Sequence, residues 1–167
     1  MAIVLIGVPG AGKTTVGSLL AQSLKYEFID TDQLIEQQLG KSISDIFIQD
    51  GEEFFRKIEA QVIASALKNE LIVVSVGGGA LMNTHTRDLI KSQTAIWLQA
   101  GLSQAVDRVG MNKNRPLLLG NVRGQLADLM AAREPFYIEC AKLVVDTNDL
   151  SPHEVVEEIE KQLAGVS

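Results

Sequence analysis

Residues 7–14 read Gly-Val-Pro-Gly-Ala-Gly-Lys-Thr, which fits the pattern G-x-x-x-x-G-K-[ST]. The apolar run Ala2–Ile6 comes directly before this stretch, and an apolar stripe at helical spacing follows it: Val16, Leu19, Leu20 and Leu24. A strand, a glycine-rich loop and a helix in this order are typical of a phosphate-binding loop. The glycines let successive N–H groups point inward, and the helix N-terminus favours an anion. The stretch therefore predicts binding of a nucleoside triphosphate.

The polar residues of this loop have distinct predicted tasks. The Lys13 ammonium is expected to reach the β- and γ-phosphates, and the Thr14 hydroxyl is expected to coordinate Mg²⁺. The motif alone does not separate a kinase from an ATPase, a GTPase or an inactive binding module. The stretch 112–115 (Asn-Lys-Asn-Arg) superficially resembles the guanine-reading N-K-x-D, but its aspartate is missing and no apolar strand precedes it. This favours ATP. The residues predicted to contact it here are Gly10, Ala11, Gly12, Lys13, Thr14 and Thr15.

Short apolar runs alternate with helix-period segments along the rest of the chain. Strands are predicted at Ala2–Ile6, Tyr26–Asp30, Ile72–Val76, Thr94–Leu98 and Leu143–Asp146. This alternation predicts one α/β domain of three layers, spanning residues 1–167, with a mostly parallel sheet. Ser151 and Glu154 have the spacing of a capping box at the start of the last helix. The stretch Gly110–Gly124, with three glycines, a proline and three basic residues, is predicted to be a mobile loop.

Composition narrows the classes of partner. The 167 residues are 46% hydrophobic and 22% charged, which is ordinary for a globular protein. The net charge of −6 argues against a general binder of nucleic acid or anionic membrane, because no broad positive field attracts phosphates. No apolar run approaches the roughly 20 residues that span a bilayer. We therefore expect a cytoplasmic protein with no nucleic-acid or membrane partner, and the lack of a surplus apolar stripe favours a monomer.

Two aspartates, Asp30 and Asp32, follow the second predicted strand. Ligands gather at the carboxyl ends of parallel strands, so both are candidates for chemistry. Asp30 is predicted to hold Mg²⁺ through water, and Asp32 to receive or orient a substrate hydroxyl. The alternative for Asp32 is structural, since an aspartate there also suits the cap of a helix that begins near Gln33. The pattern leaves both interpretations of Asp32 open.

Other candidates would bind anions. Arg56 and Glu59 are three residues apart on a predicted helix, so Glu59 is placed to orient a guanidinium that grips a carboxylate, although a solvated ion pair fits as well. The glycines at 77–79 end the third strand and offer a row of N–H donors, unless they form a plain loop. Arg115, in the predicted mobile loop, and Arg133 are further candidates, because a kinase needs a cation over the transferring phosphoryl group.

Together these motifs resemble the shikimate kinase family. The resemblance rests on segments in the family's order: 7–14, Asp30-Thr-Asp32, Phe55-Arg56 with Glu59, Gly77–Gly79, Arg115-Pro-Leu-Leu118, Arg133-Glu-Pro-Phe-Tyr137 and Val-Val-Asp-Thr-Asn148. It implies a nucleoside-monophosphate-kinase-like P-loop NTPase fold with a five-stranded parallel sheet in the order 2-3-1-4-5. It also implies a substrate-binding segment at about 31–60 and a lid at about 110–123. The implied reaction is phosphorylation of the 3-hydroxyl of shikimate by ATP with Mg²⁺, in aromatic amino-acid biosynthesis.

The resemblance also implies roles for single residues. Asp32 contacts the shikimate hydroxyls as the base or orienting group, and Arg56 and Arg133 hold the carboxylate beside the Gly78 backbone. The implied substrate-binding set is completed by Gly77 and Gly79, and the catalytic residues would be Lys13, Asp32 and Arg115.

At the nucleotide, the resemblance implies that Arg115 is the lid arginine on the phosphates and that Arg108 and Pro152 flank the adenine. Leu150 departs from the pattern, because some members carry an arginine at this position near the adenine. Two alternatives remain. One is a different small-molecule kinase of the same fold, acting on gluconate or a nucleotide, and the other is a non-catalytic nucleotide-binding module.

Overall fold

The computed structural model describes residues 1–110 and 121–166, so residues 111–120 of the predicted lid, Arg115 among them, lie outside the described part of the chain. Helices and strands alternate in chain order as predicted. The elements are β1 (Ile3–Ile6), α1 (Lys13–Leu24), β2 (Glu27–Asp30), α2 (Thr31–Leu39), α3 (Ile43–Gln49), α4 (Glu52–Ala66), β3 (Ile72–Ser75), α5 (Thr84–Lys91), β4 (Thr94–Gln99), α6 (Leu102–Gly110), α7 (Val122–Cys140), β5 (Leu143–Asp146) and α8 (Pro152–Val166). A short 3₁₀ helix, Ala80–Met82, lies between β3 and α5.

The strands form one five-stranded sheet in the order β2-β3-β1-β4-β5, and every pair is parallel. Ile3 at the centre aligns with Val73 on one side and Thr94 on the other. All strands therefore end at the same edge of the sheet, where the first phosphate-loop glycine and Asp30 lie. The five-stranded order expected from the resemblance is confirmed.

The core explains why the central strands are almost purely apolar. All four residues of β1 and all four of β3 are buried, as expected for strands that helices cover on both faces. A second, smaller cluster lies under α2, α3 and α4 and is formed by Ile35, Ile46, Phe55 and Val62. The segment from 31 to about 66 thus has apolar packing of its own beside the main core.

The chain turns sharply from strand to helix after β2. Strand β2 ends at Asp30 and α2 begins at Thr31, and Asp30 Oδ1 accepts a hydrogen bond from Gln33 N at 3.1 Å. The capping interpretation of Asp32 is therefore wrong, because the helix starts earlier than expected and Asp30 is its cap. This leaves the Asp32 side chain in the first turn of α2, at the edge where the strands end.

The expected mobile loop at 110–124 and the implied lid at about 110–123 extend too far, because α7 already begins at Val122. The strand boundaries agree with the sequence to within a residue. β1, β2 and β3 are each one residue shorter than predicted, and β4 extends through Gln99. The predicted capping box at α8 is confirmed, since Ser151 N donates to Glu154 Oε1 at 3.0 Å and Glu154 N donates to Ser151 Oγ at 3.2 Å. In the part of the chain that the structure describes, no helix has the length and apolar character needed to cross a membrane.

Candidate active site

The loop between β1 and α1 has the backbone shape of an anion cradle. Gly10 and Gly12 have φ angles of 85° and 88°, a region that residues with a Cβ rarely adopt. Gly12 is the N-cap of α1 and provides no side-chain cap, so the first N–H groups of the helix face the loop. This arrangement gives a phosphate both backbone donors and the positive end of a helix dipole.

Two cations lie at this loop. The Lys13 ammonium is buried and donates to the carbonyl oxygens of Gly7 at 2.8 Å and Val8 at 3.1 Å. Arg108 of α6 donates from Nη1 to the Gly10 carbonyl at 3.1 Å. Partial burial lowers the pKa of the Arg108 guanidinium. No local sequence pattern indicates this contact, because 98 residues separate the partners.

The predicted metal ligands meet beside the loop. Thr14 Oγ1 donates to Asp30 Oδ2 at 2.5 Å, which joins the first turn of α1 to the end of β2. A hydroxyl and a carboxylate are hard oxygen ligands of the kind Mg²⁺ prefers. Within 1–110 and 121–166, no group of three or more His, Cys, Asp and Glu side chains is arranged to hold a metal. The donors present thus fit an ion that takes few protein ligands and completes its shell with water and phosphate.

One cavity of about 380 Å³ links the loop to Asp32 and the start of the triple-glycine segment. It brings together most of the residues predicted for ATP, metal and acceptor. Those lining it are Gly10, Ala11, Gly12, Lys13, Thr14, Thr15, Asp30, Asp32, Gly77, Arg108 and Pro152. Thr147, Leu150 and Val155 also line it and were not predicted as binding residues. For Thr147 and Leu150, their position shortly after β5 was the available signal, whereas Val155 lies in α8.

The triple-glycine segment leaves room for charged side chains. A Cβ at Gly77 would lie 2.9 Å from both Asp32 Oδ1 and Glu59 Oε2. A Cβ at Gly78 would lie 2.5 Å from Arg133 Nη1. Real Cβ contacts are essentially never this short, so an alanine at either position would displace a functional group. The alternative that these glycines form a plain loop therefore does not account for the charged side chains packed against them.

The third glycine accommodates Arg56. A Cβ at Gly79 would lie 2.6 Å from Arg56 Cζ. Arg56 Nη1 donates to Glu59 Oε1 at 3.0 Å, and the Glu59 side chain is only 3% exposed. The prediction that Glu59 orients Arg56 is thus confirmed, and the solvated-pair alternative is wrong because α4 turns Glu59 into the protein.

Burial makes this carboxyl group unusual. It raises the pKa of Glu59 to about 7, against the opposing effect of the Arg56 guanidinium, and the Asp32 charge raises it further. Glu59 Oε2 is buried without a hydrogen-bond partner in the described residues. The acceptor end therefore holds two carboxyl groups, Asp32 and Glu59, on one side of Gly77.

A model of the shikimate kinase family matches residues 9–164 of this chain. A curated shikimate kinase from Thermobifida fusca is 47% identical over 160 residues, covering 96% of this chain and 93% of the relative. The chain belongs to the shikimate kinase family. The solved structure of shikimate kinase from Acinetobacter baumannii in complex with shikimate is 34% identical. It has a TM-score of 0.96 and covers 99% of this chain and 94% of that one.

The alternative of another kinase with the same fold can be weighed against a solved relative. A gluconokinase from Sinorhizobium meliloti has a TM-score of 0.58 at 19% identity, with 99% of this chain and 92% of that one covered. This likeness shows the fold alone. The shared fold does not distinguish a shikimate kinase from a gluconate kinase, but membership of the shikimate kinase family argues against the gluconate-kinase alternative.

The acceptor end of this family member has one further buried group that the sequence analysis missed. Tyr137 lies one helical turn after Arg133 on α7, and both are buried. Burial lowers the pKa of Arg133 and raises that of Tyr137 to about 12, and the Arg133 guanidinium acts on the phenol in the opposite direction. The Trp97 ring lies 5.5 Å from the Tyr137 ring. The i, i+4 spacing within Arg-Glu-Pro-Phe-Tyr was the available signal.

Proposed function

We propose that this chain transfers the γ-phosphoryl group of ATP to the 3-hydroxyl of shikimate, giving shikimate 3-phosphate and ADP. The observation that carries the proposal is the cavity that joins the phosphate loop to Asp32 and Gly77, next to the glycines that accommodate Arg56 and Arg133. Membership of the shikimate kinase family and the shikimate complex of the A. baumannii relative support the same substrate.

In the nucleotide half, the loop N–H groups and Lys13 would bind the phosphates of ATP. Thr14 and Asp30 would hold Mg²⁺, which offsets the phosphate charge when bound; the Asp30 contact would pass through water. Arg108 and Pro152 would flank the adenine, as the family resemblance implies, and both line the cavity. Arg115, as the predicted lid cation, would lie over the transferring group; it falls outside the described residues and stays a prediction.

In the acceptor half, shikimate is a small anionic triol, so one end needs cations and the other needs hydroxyl acceptors. Arg56 and Arg133 would grip its carboxylate with the Gly78 N–H beside them. Asp32 would orient the 3-hydroxyl and take its proton. The hydroxyl oxygen then bonds to the γ-phosphorus as the bond to the β,γ-bridging oxygen breaks, and ADP leaves.

A coupled ADP-release assay tests this function with ATP, Mg²⁺ and shikimate, and with gluconate and nucleoside monophosphates as parallel acceptors. Saturable turnover that requires shikimate supports the proposal. Turnover that requires another acceptor would identify that compound, instead of shikimate, as the substrate. Measurable ATP binding without any turnover would favour a non-catalytic binding module. The cytoplasmic location and the monomeric state stay predictions, to be checked by fractionation and by light scattering.

A further inference from the structure

A set of contacts centred on Arg87 of α5 joins the 3₁₀ helix that follows Gly79 to α7. Arg87 Nη1 donates to the carbonyl oxygen of Leu81 at 2.7 Å, and Nη2 donates to Thr84 Oγ1 at 3.2 Å. Leu81 belongs to the 3₁₀ helix that follows Gly79 directly. The guanidinium therefore holds the backbone of the 3₁₀ helix that directly follows the triple-glycine segment.

The same guanidinium also contacts α7. Its Nε lies 3.3 Å from Glu139 Oε2, and its Cζ lies 4.5 Å from the centroid of the Phe136 ring. Phe136 is one turn beyond Arg133, the residue of α7 that packs against Gly78. One side chain thus joins the glycine segment to the helix that brings the carboxylate-binding arginine to it.

We propose that Arg87 is a positioning residue for the shikimate carboxylate, because it fixes the separation between the Gly78 backbone and Arg133. The inference rests on the proposed function, in which these two groups bind the carboxylate. Arg87 acts through them rather than on the substrate. The two groups come from elements about 55 residues apart in sequence, and a fixed separation lets both meet one small anion at the same time.

The charges around Arg87 allow this role to be separated from general stability. The Glu139 side chain is 41% exposed, so water reaches and partly screens that end of the ion pair, whereas Arg87 is only 15% exposed. Binding geometry is more sensitive, because a misplacement of about 1 Å reduces rates by up to about 100-fold. We therefore expect loss of Arg87 to leave the fold intact and to weaken shikimate binding selectively.

Arg87→Ala, Arg87→Lys and Lys91→Ala form the first experiment. Lys91 is a matched control, since it lies one turn further along α5 and pairs with the same Glu139. Arg87→Ala should raise the KM for shikimate about tenfold and leave the KM for ATP within twofold. Arg87→Lys should recover part of the loss, because an ammonium reaches one partner but lacks the planar fork that joins both. Lys91→Ala should behave as wild type.

A double-mutant cycle with Arg133→Ala completes the test. If Arg87 acts through Arg133, Arg87→Ala should raise the KM for shikimate no further in the Arg133→Ala background. An unchanged KM in Arg87→Ala overturns the inference, as does an equal rise for both substrates or a full additional rise in the double mutant. Should Arg87→Ala fail to fold, Arg87→Lys carries the same comparison. An unchanged KM in Arg133→Ala would instead refute the proposed carboxylate site itself.

Discussion

Gly79→Ala is the substitution whose effect follows most directly from the geometry. Gly79 has φ −91° and ψ −1°, the angles of position i+2 in a type I turn, which residues with a Cβ also occupy, so the steric effect of the added methyl group dominates. That methyl carbon would lie 2.6 Å from Arg56 Cζ, whereas ordinary contacts begin near 3.4 Å. Arg56 Nη2 would lie closer still, so the guanidinium must move by more than the roughly 0.4–0.8 Å that Cζ alone needs to reach the 3.0 Å limit and the 3.4 Å ordinary contact. Such a move disturbs its hydrogen bond to Glu59 and, in the proposed function, its approach to the substrate carboxylate.

A charge-assisted hydrogen bond to the substrate is worth about 1.5–3 kcal/mol, so we expect kcat/KM for shikimate to fall by about 10- to 100-fold. The KM for ATP should stay unchanged, since Arg56 does not line the cavity around the phosphate loop. Gly165→Ala is the matched control, because a Cβ there meets nothing within 4 Å. Steady-state kinetics with each substrate varied in turn give the answer. A Gly79→Ala enzyme within threefold of wild type for shikimate would refute the steric reasoning.

Three further substitutions test separate parts of the site. Asp32→Asn should nearly abolish turnover while ATP binding by calorimetry stays within about twofold, and turnover within tenfold of wild type would contradict its role. Thr14→Val should raise the Mg²⁺ concentration needed for half-maximal rate at least tenfold, because it removes a predicted ligand oxygen; an unchanged requirement would point to other ligands. The free energy of unfolding of Glu59→Gln relative to wild type should increase as the pH is raised from 5 to 8. A carboxyl whose pKa rises from 4.5 to about 7 on folding holds its proton more tightly in the folded state, so wild-type stability falls as pH rises through that window. Urea unfolding at the two pH values measures this, and a constant difference would refute it.

The sequence was most informative where chemistry and local structure depend on the same residues. The stretch 7–14 predicted a strand, a turn and a helix start, and the backbone angles of its glycines agree. The resemblance predicted the sheet order, which no local pattern could supply, because parallel neighbours such as β1 and β4 are about 90 residues apart. The predicted ends of several strands differ from the structure by one residue, since pairing at a strand end depends on the neighbouring strand.

The interpretation of Asp32 shows where local reasoning was insufficient. Two aspartates one residue apart both suit a cap, and only the tertiary position of α2 decides that Asp30 takes this role. The burial of Glu59 was equally hidden, because an i, i+3 pair of Arg56 and Glu59 has the same sequence whether it faces water or protein. Contacts such as Arg108 to Gly10 join distant segments and leave no periodic signal.

The triple-glycine segment allows charged groups from several parts of the chain to meet at the proposed acceptor site. Each glycine lies where a Cβ would collide with a charged group from a different part of the chain: Asp32 and Glu59 at Gly77, Arg133 at Gly78, and Arg56 at Gly79. The glycines therefore allow charged side chains to approach the backbone closely. Backbone flexibility is not the reason for a glycine at position 79, because its φ angle is one that other residues also adopt. In a chain of net charge −6, this packing gathers two arginines beside two carboxyl groups in one small volume. A ligand that satisfies both sets must carry an anion at one end and hydroxyl donors at the other, and shikimate does.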